Sequence, residues 1–87
     1  MTEDDAKQLI RAGLEASSLL GLAVGDLSGR LDEDEARSVR RGAGLVLAEI
    51  DERLFELAFA AQPQLRPADT AEAWQRLGEL VGAQKRS

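Results

Sequence analysis

Neither cysteine nor histidine occurs in this sequence, and tyrosine is missing as well. Without cysteine there is no disulfide, no thiolate metal site and no thiol nucleophile. Without histidine there is no Ser–His–Asp or Cys–His arrangement, no histidine-bound zinc and no use of the commonest general base. The Glu-x-x-His pattern that holds paired metal ions in ferritin-like bundles is excluded for the same reason. No catalytic residue, metal ligand or cofactor is therefore expected. Aromatic residues are scarce, with two Phe and one Trp, and there is one Met. A core has to be assembled from Leu, Ala, Val and Ile, with Ala and Gly letting helices approach closely. The most apolar stretch, Leu19 to Val24, is far shorter than the ~20 residues of a bilayer span. No membrane partner is expected.

Basic residues are outnumbered, 11 Lys and Arg against 16 Asp and Glu, for a net charge of −5. A dedicated nucleic-acid binder needs a basic stripe to neutralise phosphates, so nucleic acid is not an expected partner. The opening Met1-Thr2-Glu3-Asp4-Asp5 is acidic where a signal peptide is basic, which favours a cytoplasmic location. Arginine exceeds lysine nine to two, with much Ala, Gly and Leu, the composition of a GC-rich bacterial genome. Eighty-seven residues make one domain. A chain of that size buries only about 60–65% of the surface its unfolded form exposes, so association with another chain would help it.

Three helix starts can be read from capping pairs. Thr2 precedes Asp5, Asp32 precedes Glu35 and Asp69 precedes Glu72, each at the spacing of an N-cap and its third residue. Acids fill each first turn, where the positive end of the helix dipole favours them. These signals predict helices over about 3–24, 33–61 and 70–82, with Gly25 to Gly29 as the first connection and 84–87 as a frayed tail. Both prolines lie between Gln62 and Ala68 and must break the second helix. The expected fold is all-α: a small three-helix bundle made of an antiparallel hairpin with a long second helix, plus a shorter C-terminal helix. Gly42 and Gly44 leave open whether the second helix is kinked.

At 100° per residue the second helix carries two apolar stripes. One holds Ala36, Val39, Ala43, Val46, Leu47, Ile50, Leu54, Leu57 and Ala61; the other, roughly opposite, holds Leu45, Ala48, Phe55 and Phe59. The first helix has only a narrow polar sector, and the third offers Trp74, Leu77, Leu80 and Val81. Two arrangements are open. Helix one could cover the main stripe and helix three the phenylalanines, or part of these faces could meet a second copy or another protein, since contiguous exposed apolar patches mark interfaces. Trp74 is either a core anchor or an interface residue. Gly13, Ser17, Gly21, Gly25 and Gly29 recur every four residues, and the first three form a candidate groove for close packing.

Candidate chemistry is limited to Arg37, Arg40 and Arg41 beside Gly42-Ala43-Gly44. Arg40 and Arg41 have no acid four residues away, while Glu3–Lys7, Glu33–Arg37, Glu49–Arg53 and Glu72–Arg76 stand at pairing distance along a helix. The three arginines could hold an anion, or they could pair with acids of another helix. Asp32 to Glu35 cannot all face one cation from a helix, and Asp26 to Asp32 puts Arg30 where a calcium loop needs an oxygen. Asp26-Leu27-Ser28 reverses the Asp-Ser-Leu of acyl carrier proteins. Ile50-Asp51-Glu52-Arg53-Leu54 is similar to the opening helix of helical chorismate mutases but lies in mid-chain. No residue role is carried over from either. The expected function is a non-catalytic protein–protein interaction module, homodimeric, acting as a small adaptor, regulator or accessory subunit. Its partner-binding residues would be Leu45, Ala48, Phe55, Phe59, Ile50, Leu54, Leu57 and Trp74. The alternative is a ligand-binding or enzymatic bundle that uses the arginines to hold an anionic metabolite.

Overall fold

A computed structural model describes residues 1–83. The predicted tail, 84–87, lies outside the described residues. The fold is the expected all-helical hairpin with a short third helix. Helix α1 spans Glu3–Ser28, and a second arm runs antiparallel to it. That arm consists of α2 (Glu33–Glu49), a π-helical segment (Ile50–Phe55) and α3 (Glu56–Ala61). A 3-10 turn (Pro63–Leu65) then leads to α4 (Ala71–Val81).

The first two caps form as their sequence signals require. Thr2 and Asp5 make a reciprocal capping box at 3.0 and 3.1 Å, and Asp32 accepts from the Glu35 N–H at 2.8 Å. At α4 the cap falls one residue later than expected. Thr70, not Asp69, accepts the N–H of Ala73 at 3.1 Å, a hydroxyl doing what the neighbouring carboxylate was expected to do. Gly82 closes α4 with φ 79°, the left-handed conformation that only glycine adopts without cost.

Helix α1 runs a turn further than expected. Gly25 to Ser28 are helical, and the connection is the tight Gly29-Arg30-Leu31 turn, in which Arg30 and Leu31 N–H groups both reach the Leu27 carbonyl at 2.9 Å. An isolated glycine weakens a helix by only ~1 kcal/mol relative to alanine, too little to end one. The same holds at Gly42 and Gly44, through which α2 passes without interruption.

The irregularity in the second arm lies instead at Ile50–Phe55, where the Glu56 N–H bonds the Asp51 carbonyl five residues back. Such a turn holds one extra residue, so everything after it lags by about 100° relative to an unbroken helix. The lag brings Phe55 and Phe59 to the side that faces α1 and α4, and it turns Leu57 outward. Phe55 is 6% exposed and Phe59 2%, whereas Leu57 is 55% exposed. The inward-facing parts of the two stripes read at a constant 100° per residue are thus one stripe with a phase shift, with Leu45 and Ala48 of one and Val46, Leu47, Leu57 and Ala61 of the other left outside.

The core sits at one end. Ala6, Ile10, Phe55, Ala58, Phe59, Leu65, Leu77 and Val81 form it, with Leu9, Leu14, Ile50 and Trp74 packed at its edge. Gln62 ties this basal end to the start of the chain through a 3.0 Å bond from its side-chain amide to the Met1 carbonyl. Helix α4, ~16 Å long, packs beside α1, which is ~39 Å long. It therefore reaches less than half of the hairpin. Beyond it, α1 and α2 continue as two helices with none of the other described residues against their outer faces. Among the described residues Ala36 is the one buried hydrophobic outside the basal cluster.

Candidate interaction surface

A two-helix hairpin can shield only the strip along which its helices touch. Val39, Ala43 and Ile50 of the second arm and Leu20, Val24 and Leu27 of α1 are half-buried for this reason. The residues flanking that strip stay in solvent: Leu19, Leu22, Leu45, Val46 and Leu47 are 36–64% exposed. Leu45, Val46 and Leu47 are consecutive, so they point to three sides of α2.

The whole chain shows the same imbalance. Its 45 × 23 × 21 Å extents and 14.4 Å radius of gyration exceed the ~12 Å of a compact chain of this length. Its accessible surface is 5962 Å², against about 5000 Å² for a folded monomer of its mass. The excess, roughly 950 Å², is close to the ~800 Å² that each partner contributes to a standard protein–protein interface.

The predicted partner-facing residues separate into two groups. Leu45, Ala48 and Leu57 are exposed on the second arm, and Ile50 and Leu54 are half-buried. Phe55 and Phe59 belong to the core instead, and Trp74 is half-buried at its edge. Trp74 lies tilted 5.6 Å from Phe55 and edge-on 6.0 Å from Phe59, and the two phenylalanines are 6.3 Å apart. Leu19 and Leu22 of α1 were not expected at the surface patch; their signal was a hairpin arm far longer than the eleven residues of α4.

The arginines are not gathered into a site. Arg37, Arg40 and Arg41 are all exposed on α2. Arg40 pairs with Glu33 two turns earlier in the same helix, at 3.1 Å, rather than with an acid of another helix. Glu33 is thereby taken from its expected partner Arg37. The expected pairs Glu49–Arg53 and Glu72–Arg76 do form. Arg11–Glu15 adds a pair at 3.6 Å.

A separate feature escaped sequence reading, the guanidinium of Arg66. It forks onto Glu56 at 2.7 and 2.8 Å and lies 5.1 Å from the centre of the Phe59 ring. The hydrogen bonds hold the Glu56 carboxyl below its ordinary value and push the Arg66 guanidinium up. Together with Asp51, Pro67, Asp69 and Trp74 they line an open cleft of about 290 Å³. Arg66 stands ten residues from Glu56 across two prolines, so no periodic spacing could reveal the pair. Its effect is to pin the Pro63–Asp69 loop over the aromatic cluster.

Among the described residues no three acids converge as a metal site, and no helix is long and apolar enough to cross a membrane. No protein-family model matches the chain, and comparisons with curated proteins and with solved structures found no match.

Proposed function

We propose that the chain is a non-catalytic protein–protein interaction module that works as a homodimer, an adaptor or accessory subunit whose association surface is the bare end of the hairpin. The observation that supports it is the unbalanced burial. One half of the molecule holds a complete small core, and the other exposes five large hydrophobics on a two-helix arm. The surplus surface matches one side of a standard interface. A second copy is the simplest occupant, because a closed two-fold pair buries the same patch on both chains.

Light scattering coupled to size exclusion tests the reading on the full chain. The expected mass is twice the 9.4 kDa of one chain at micromolar concentration and ordinary salt. A mass equal to one chain over the whole micromolar range contradicts it.

A further inference from the structure

The exposed back of the second arm, from α2 into the π-helical segment, carries a row with an unusual charge order. Arg41, Leu45, Ala48 and Glu52 follow one another at spacings of four, three and four residues; the first three lie within a sector of about 60° of α2, and Glu52 follows one turn on, in the π-helical segment. All four are exposed. Leu45, at 64%, is the most exposed of the large hydrophobics. The row is basic at one end, apolar in the middle and acidic at the other. Among the described residues neither Arg41 nor Glu52 has an ion pair, although arginines and acids around them do.

A row of this kind is complementary to itself only when reversed. Laid antiparallel on a copy about a two-fold axis midway between Leu45 and Ala48, each residue meets the one whose number completes the same sum. Leu45 then packs on Ala48 of the other copy, and Arg41 meets Glu52. Each contact occurs twice. The four-three-four spacing is the seam along which helices pack at shallow angles, with a small residue opposite a large one. A parallel arrangement would set Arg41 on Arg41 and Glu52 on Glu52, which like-charge repulsion disfavours. Two features of one surface, the exposed centre and the two opposite charges without ion pairs, fit the same occupant, and the surplus area of the whole chain is of the size that a pair of copies covers.

We infer that the partner of this face is a second copy of the chain, and that two copies pair antiparallel along Arg41, Leu45, Ala48 and Glu52 with Arg41 of one opposite Glu52 of the other. This rests on the self-association reading and adds its geometry. Charge order sets the register, while the leucines supply the attraction.

Charge reversal tests the geometry. Arg41→Glu and Glu52→Arg each turn both symmetric contacts repulsive, and each is expected to raise the dimer dissociation constant about tenfold or more. The first variant carries an acid at both ends of the row and the second a base at both ends. When the two are mixed, each acid of one chain meets a base of the other, so the mixture is expected to dimerise as the unmodified chain does. The double variant Arg41→Glu/Glu52→Arg is expected to recover in the same way. Circular dichroism should be unchanged throughout, since both positions are exposed. Single variants that dimerise normally, or a mixture that fails to recover, overturn the antiparallel seam while leaving self-association standing. An unmodified chain that is monomeric at every concentration overturns both.

Discussion

Gly13 shows most sharply how one residue decides the basal packing. A β-carbon built there would lie 2.5 Å from Cε1 of Phe55, closer than such atoms come, and a tight 3.2 Å from Cγ2 of Ile50. Gly13→Ala gains about 1 kcal/mol of helix propensity but forces a buried ring to move, which costs about 1–3 kcal/mol. A net loss is expected, read as a lower midpoint in urea. At Gly21 and Gly44 the same β-carbon meets nothing within 4 Å, so Gly21→Ala or Gly44→Ala should stabilise the chain by up to about 1 kcal/mol and raise the midpoint. The row of small residues in α1 was legible in the sequence. Which member does the packing was not, because it depends on where a π-helical turn far along the chain aims Phe55. A second residue-scale expectation concerns acid. The hydrogen bonds from Arg66 lower the Glu56 pKa below an ordinary 4.5, so the pair's contribution is complete above that value and is lost as pH falls through the lowered one. Thermal melts between about pH 6 and pH 3 should therefore fall less steeply for Glu56→Gln than for the unmodified chain. Equal slopes would show that the fork does not pin the loop. The depressed carboxyls of Asp5 and Asp32, each held by backbone N–H bonds at a helix start, act in the same direction and remain in both.

At the scale of elements, the capping pairs at Thr2 and Asp32 were legible because they are local: a side chain, three residues and an acidic first turn. The end of α1 and the start of α4 each missed by a turn or less for equally local reasons, a tolerated glycine and a competing hydroxyl. The face of the second arm was misread through one assumption, a constant 100° per residue across Ile50–Phe55. Periodicity cannot show a π-helical turn, since its cause is tertiary: the extra residue persists because it brings Phe55 and Phe59 onto the core. That account makes the turn equivalent to a one-residue insertion. Deleting exposed Arg53 should convert it to ordinary α-helix with the phenylalanines still inward, leaving stability within about 1 kcal/mol of the original. Deleting Gly44, in regular helix, puts residues 45–50, Ile50 among them, about 100° out of phase with α1 even where the π-helical turn relaxes, and should cost several times more. Urea unfolding of the two variants distinguishes them, and comparable losses would contradict the insertion account.

For the molecule as a whole, composition already indicated a small core with little to spare, and the structure shows how the shortage is distributed. Helix α4 and the 3-10 turn complete the basal end, while the distal arm is left with apolar residues on several sides and a basic–apolar–acidic row along its back. Sequence reading placed Leu45 and Ala48 on a partner-facing stripe, and both are exposed on α2. It could not separate them from Phe55 and Phe59, which share their stripe only if the helix is regular. Sedimentation equilibrium of the unmodified chain beside Leu45→Asp tests the central claim most directly, with circular dichroism as the check on folding. Leu45 lies outside the core, so the variant should remain as helical as the parent. The account predicts that the unmodified chain sediments at twice its 9.4 kDa mass and that Leu45→Asp sediments as a single chain. A parent that stays a single chain at every concentration, or a Leu45→Asp variant that dimerises as tightly as its parent, would contradict it.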